Sequence, residues 1–118
     1  MTIASFDTNT TEGKVKLFNG KNATDGALKD ILDQEVLLQD VLIHSDSRTD
    51  PETGEVISSE ITVLYTDKGV FGGNSGVLMN TAKDVIPLLE ALGEPIGIQV
   101  FESKSKNGRG FYNFRLTK

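Results

Sequence analysis

The stretch IGIQVFESKSKNGRGFYNFRL, residues 96–116, contains two alternating apolar runs joined by a basic turn. In a strand successive side chains point to opposite faces, so Ile96, Ile98 and Val100 share one face and Gln99 and Phe101 the other. In the second run Tyr112, Phe114 and Leu116 lie opposite Phe111, Asn113 and Arg115. Burying both apolar sets in one core fixes the register. A two-residue turn at Asn107 and Gly108 would pair Phe101 with Phe114 and mix the faces. A three-residue loop, Lys106 to Gly108, with Gly108 in the left-handed conformation, pairs Val100 with Phe114 and Ile98 with Leu116. The outward face then carries Phe101, Phe111, Gln99 and Arg115, beneath a tip armed with Lys104, Lys106 and Arg109.

Before this hairpin stands a helix. In TAKDVIPLLEALGEP, residues 81–95, Ala82, Val85, Ile86, Leu89 and Leu92 recur at helical spacing. Thr81 and Asp84 resemble a capping box, and Gly93 with Pro95 stops the helix. Pro87 either kinks a helix begun at Thr81 or sits in the first turn of one begun near Asp84; the kinked helix is the preferred reading. Further back, EVLLQDVLIHS (35–45) is a long run with apolar residues on both faces, the pattern of a strand that bends or is covered on both sides. SDSRTDPETGE reads as a polar hairpin loop with Pro51 and Gly54 as turn formers. SSEITVLYT places Ile61, Val63 and Tyr65 on one face, and a tight DKG turn leads to a short strand around Val70 and Phe71. A short amphipathic turn holds Leu28, Ile31 and Leu32. At the N-terminal end KVKLFN (14–19) alternates, with Lys14, Lys16 and Phe18 outward and Val15 and Leu17 inward, and reads as a strand.

The resulting order is an extra N-terminal strand, three strands, a helix and two strands. This predicts a mainly β chain, an OB-fold-like five-stranded barrel with one helix between the third and fourth barrel strands, forming one domain over residues 1–118. In that architecture hairpin loops, here 45–57 and 103–110, commonly carry a binding surface for oligonucleotides.

Composition narrows the function. A chain of 118 residues, 37% hydrophobic and 25% charged, supports a single core. Without cysteine there is no disulfide and no thiolate metal site. The N-terminal segment lacks the pattern of a signal peptide, so the chain is expected to be cytosolic and the sequons at Asn9 and Asn22 incidental. A net charge of -5 argues against coating duplex DNA by bulk charge. It leaves room for a local basic groove, because salt screens exposed charges beyond about 8 Å. All 17 acidic residues precede Ser103, and the tail after them is basic and aromatic. A sequence-tolerant single-strand binder needs flat side chains for stacking, with cations beside them for phosphates. The candidate contacts are Lys14, Lys16, Phe18, His44, Arg48, Tyr65, Phe71, Phe101, Lys104, Lys106, Arg109, Phe111, Tyr112 and Arg115. Alternation places Tyr65, Tyr112 and Phe114 mainly toward the core.

Three segments, SFDTNTTEGKVKLFN, TVLYTDKGVFGG and KSKNGRGFYNFRL, resemble the single-stranded-DNA-binding proteins of small tailed phages of Gram-positive bacteria that replicate linear genomes by protein priming. Phe6, Asp7, Thr8, Glu12, Gly13, Lys16, Phe18 and Asn19 match that family's opening pattern, whereas residues 21–33 and 45–57 match poorly. The resemblance implies a protein in the cytoplasm of an infected bacterium. It would cover and protect displaced single-stranded DNA, without catalysis and with the phage replication machinery as a further partner. It also implies aromatic contacts, chiefly tyrosines, in the first hairpin and near the third strand. Here His44 and Arg48 occupy that hairpin without a tyrosine, and Phe71 lies close to the later position.

Other classes fit less well. His44 is the single histidine, in a run of polar residues at a strand end, and a lone histidine is far more often a surface or capping residue than a general base. The acidic loop around Asp46, Asp50, Glu52 and Glu55 has Arg48 and Pro51 where a calcium loop needs a ligand and a glycine. GVFGGNSG lacks the Lys-Ser/Thr of a phosphate loop, and its glycines suit a bend or close backbone approach. No cofactor, metal, membrane or small-molecule substrate is expected. The alternative is an OB-like interaction adaptor whose basic hairpin docks on an acidic partner.

Overall fold

The computed structural model describes residues 2–104, 108 and 110–117, with backbone alone at 46, 48, 57 and 58. Its elements are β1 (Thr2–Ala4), α1 (Thr11–Asn22), β2 (Gly26–Ala27), a 3₁₀ turn (Leu28–Ile31), β3 (Glu35–Thr49), β4 (Val56–Thr66), β5 (Gly69–Gly73), α2 (Gly76–Leu92), β6 (Ile96–Lys104) and β7 (Gly110–Leu116). The fold is mainly β, a single sheet curled into a half-barrel, in the order β2-β5-β4-β3-β6-β7 with β1 on β3. Among these strands only the β2–β5 pairing is parallel. The sheet thus has seven described strands where five and one were expected, and α2 lies between β5 and β6 as the pattern indicated.

Strand β3 organises both faces through a bulge. Leu38 pairs with Thr66 but Asp40 with Tyr65, so Gln39 is the extra residue. One extra residue reverses the parity of everything after it. Val36 and Leu38 before the bulge and Val41 and Ile43 after it therefore enter the same core, while Leu42 joins the opposite one. The larger core lies under α2 and includes Leu28, Ile31, Leu64, Leu78, Val85, Ile98 and Phe114. The smaller holds Leu42, Val63 and Tyr65, with Phe6, Leu17 and Ile61 packed against them. Ser5 serves the bulge: its hydroxyl accepts from the Val41 N–H at 2.8 Å and donates to Asp40 at 2.9 Å.

The β6–β7 register is the expected one, with Val100 opposite Phe114 and Ile98 opposite Leu116. Gly108 adopts φ 79°, the left-handed conformation the three-residue loop requires. The β3–β4 hairpin is longer than the sequence suggests, its ladder running through polar residues to Thr49 opposite Val56. The turn is closed by the Asp50 N–H donating to the Glu55 carbonyl at 2.8 Å, with Gly54 at φ 73°.

Two expectations about helices are overturned. The extra strand at residues 14–19 is instead the middle of α1. Thr10 caps that helix, its hydroxyl accepting from the Gly13 N–H at 3.0 Å, and Glu12 and Lys21 complement the helix dipole. The buried stripe is Gly13 and Gly20, flanked by Lys16 and Leu17; with glycines on the packed face, hydrophobic periodicity does not register a helix. An N-terminal strand does exist, but at Thr2–Ala4. The second correction is that α2 starts at Gly76 rather than Thr81. Ser75 is its cap, accepting from the Leu78 N–H at 3.3 Å, and Thr81 lies inside the helix and donates to the Val77 carbonyl. Leu78 is fully buried and draws the first turn into the core. Pro87 sits within the helix at an exposed position, where solvent can hydrate the carbonyl that its missing N–H leaves unpaired. Gly93, at φ 66°, ends it as expected.

Candidate nucleic-acid interface

Among the described residues β5 and β7 do not pair, so the curled sheet leaves a seam. In that seam lies an open groove of about 1030 Å³. Gly26 and Ala27 of β2 and Gly72 and Gly73 of β5 line one side, and Gly110, Phe111 and Tyr112 of β7 the other. Gly20 and Lys21 of α1, the first turn of α2 from Ser75 to Val77, and His44, Ser59 and Ile61 complete the lining.

Three properties define what this groove can hold. Six of its lining residues are glycines, so its walls are low and expose backbone. Its described lining contains no aspartate or glutamate, although the chain has 17, and it carries Lys21. Phe111 and Tyr112 are both half buried and, as neighbours on one strand, point to opposite faces: Tyr112 packs against the larger core, and Phe111 keeps ring area available for stacking. The free N–H groups of the first α2 turn add partial positive charge at the rim. The glycines also have structural reasons. A Cβ on Gly73 would stand 2.8 Å from a Leu78 methyl, so glycine lets α2 start against β5. At Gly76, by contrast, a Cβ would meet nothing within 4 Å, so that glycine leaves open space.

The candidate contacts disperse when placed on this frame. Phe111 and Tyr112 line the groove, and His44 reaches it from β3, though buried. Lys104 is exposed at the end of β6. Lys106 and Arg109 lie outside the described residues, as does the side chain of Arg48, whose backbone pairs with Ile57. Phe101 and Arg115 form a pair, the guanidinium 4.8 Å from the ring centroid, on the hairpin face that also carries Phe111. Phe71 is 6% exposed within the larger core and offers no free ring face.

Lys14, Lys16 and Phe18 do not share a face as the strand reading required. In a helix Lys16 lies about 160° around the axis from Phe18. Lys14 and Phe18 are exposed, whereas Lys16 pairs with Asp40 and stands 5.3 Å from the Phe6 ring centroid and 6.0 Å from that of Tyr65. Tyr65 is buried and donates its hydroxyl to the Lys16 carbonyl at 2.6 Å. Burial, with the nearby Asp40 charge second, pushes its phenol up to about 12. These residues dock α1 on the sheet.

Sequence reasoning missed Lys21 and the wall glycines 20, 26 and 110, whereas Gly72, Gly73 and Gly76 belong to the stretch it assigned to a bend or a close backbone approach. Lys21 could have been found from the helix signals at Thr10 and Glu12, which place it in a last turn; the walls come from strands far apart in sequence. Among the described residues no three His, Asp or Glu side chains gather as a metal ion would need.

The sequence pattern of the Phage Single-stranded DNA-binding protein family matches residues 1–117. This chain belongs to that family. It is 27% identical over 115 residues to the single-stranded DNA-binding protein of Bacillus phage B103, covering 96% of this chain and 93% of the relative. It is 23% identical over 115 residues to that of Bacillus phage phi29, with 97% and 93% covered. No solved structure matches the chain. The opening residues that resemble the family, Phe6, Gly13 and Lys16 among them, fall in the α1 dock: a Cβ on Gly13 would collide with the Asp7 carbonyl oxygen.

Proposed function

We propose that this family member binds single-stranded DNA in the seam groove, largely without regard to sequence and without catalysis, and covers displaced strands during phage DNA replication. The observation that carries the reading is a glycine-walled groove in an acidic chain whose described lining holds Lys21 and a half-exposed Phe111 and no acid. Bases stack on Phe111 while the backbone passes close to the glycines and Lys21. Every base has a π-face, so such contacts tolerate any sequence. Neither described helix presents an Arg-, Asn- and Gln-rich face for a major groove, which favours single strands over duplex. The half-barrel, with its helix between β5 and β6, fits an OB-like barrel left open at the binding side. Among the described residues no helix is long and apolar enough to cross a membrane.

Gly76 provides the test. As the first residue of α2 with open space around it, it accepts a side chain, and Glu there favours the helix dipole. Gly76→Glu should therefore keep or raise the melting temperature while placing a negative charge in the groove. Fluorescence anisotropy with a labelled oligothymidine should show affinity reduced by about tenfold or more, the cost of roughly 1.4 kcal/mol of repulsion. Undiminished affinity in a folded variant would move the strand out of the groove, and equal or tighter binding of duplex would refute the preference for single strands.

A further inference from the structure

The outer face of α1 has no packing role, yet it is not a plain polar surface. With about 100° between successive residues, Gly13, Lys16, Leu17 and Gly20 turn toward the sheet, and Thr11, Lys14, Val15, Phe18, Lys21 and Asn22 turn away. Glu12 and Asn19, also exposed, lie to one side of that face, Glu12 about 120° around the axis from Phe18. Phe18, 65% exposed, stands at the centre of the face. Lys14 precedes it by four positions and Lys21 follows by three, so the two cations flank the ring on adjacent turns, about 10 Å apart along the axis. Among the described residues neither lysine pairs with a carboxylate; the ion pair of this helix, Lys16–Asp40, is on the docked face.

An exposed phenyl ring contributes no burial to the fold. A flat ring between two unpaired cations is the composition of a stacking platform with phosphate contacts on either side. The face is also continuous with the groove, because Lys21 lines both. We propose that the outer face of α1 is a second stacking station for single-stranded DNA leaving the groove, with Phe18 against a base and Lys14 and Lys21 against the flanking phosphates. This rests on the single-strand-binding reading above, and it adds a surface that the groove does not include. Charge decides the occupant: two lysines flank the ring, the acid of this helix, Glu12, stands about 120° around the axis from it, and the described lining of the neighbouring groove holds Lys21 and no acid, which matches a polyanion.

The test uses labelled oligothymidines from about 4 to about 30 nucleotides, spanning the site sizes of single folds of this kind, with oligonucleotide in excess so that each strand carries one protein. Phe18→Ala, at an exposed position, should leave the circular dichroism spectrum unchanged. Short strands that fill only the groove should bind the variant as they bind the parent. Once strands are long enough to reach α1, the parent should gain affinity and the variant should lag by roughly 5- to 150-fold, one lost stacking contact. The double variant Lys14→Gln, Lys21→Gln should reduce the slope of log K against log salt by about 0.7 on short strands, where the groove loses Lys21, and by about 1.4 on strands long enough to reach Lys14. Equal affinity of Phe18→Ala and parent at every length, with Gly76→Glu still impaired, would overturn the proposal and leave this face to a protein partner. If the parent bound no oligothymidine of any length, the single-strand-binding reading itself would fall.

Discussion

The two faces of the sheet are held by different physics. Beneath α2, large aliphatic side chains such as Leu64, Leu78 and Ile98 are fully buried, and attachment follows from apolar area removed from water. On the other face α1 contributes Gly13 and Gly20 as its buried residues. Its attachment depends on close backbone approach, on the Tyr65 hydroxyl bonded to the Lys16 carbonyl, and on Lys16 lying between Asp40, Phe6 and Tyr65. An isolated 12-residue helix is marginal in water, so α1 exists because it is docked. The first face tolerates shape changes in proportion to volume; the second fails at single atoms. That difference also separates scaffold from site, since α1 carries Lys21 to the groove wall.

The largest expected effect belongs to the α2 face. Leu64→Ala should cost about 2–5 kcal/mol, measured by urea unfolding, because it leaves a cavity in the main core. A cost below about 1 kcal/mol would mean that this core repacks freely, and the contrast between the faces would weaken.

The second prediction reverses an ordinary sign. At an exposed helix site Gly→Ala stabilises by about 1 kcal/mol. A Cβ on Gly20 would meet the Tyr65 hydroxyl and stand 2.9 Å from a Leu42 methyl. Gly20→Ala should therefore destabilise by about 1–3 kcal/mol, with helical signal lost from α1 at lower denaturant than the sheet. It should also weaken oligothymidine binding by displacing Lys21. A stabilised Gly20→Ala would show that α1 can dock without this close approach.

The smallest effect sharpens the polar part of the dock. Tyr65→Phe should cost about 1 kcal/mol for the lost hydrogen bond to the Lys16 carbonyl. The folded phenol titrates above the ordinary value of 10, at about 12, so the folded state favours its neutral form. The stability this provides is fully present below pH 10 and is lost as pH rises from 10 toward 12. Thermal melts of the parent should show this alkaline loss, and Tyr65→Phe should lack its share; identical alkaline profiles would place Tyr65 in a looser setting.

Much of the architecture was legible because large apolar residues report their own period. The β6–β7 register followed from one rule, that Ile98, Val100, Phe114 and their neighbours share a core, and Gly108 took the left-handed turn that register demanded. The double-faced run 35–45 pointed to a strand that bends or is covered on both sides, and β3 carries a bulge at Gln39 and a core on each face. Where glycine does the packing, the period is silent. KVKLFN alternates like a strand, and only the cap at Thr10 and the glycines at 13 and 20 mark it as a helix. The start of α2 was misplaced because Ser75 and Gly76 follow two strand glycines and read as loop.

The sequence by itself determined a mainly β chain with a basic, aromatic C-terminal hairpin, because alternation and turn chemistry are local properties. Its opening segment also pointed to the family to which the chain belongs. Only the tertiary structure decided which cations and aromatics share a surface. It separated Lys16 from Phe18, withdrew Phe71 into the core, and brought Lys21 and Phe111 to one groove whose described lining holds no acid. The reason is geometric: a helix turns neighbouring residues apart, while a curled sheet brings β2, β5 and β7 to one seam, and neither result can be read from spacing along the chain.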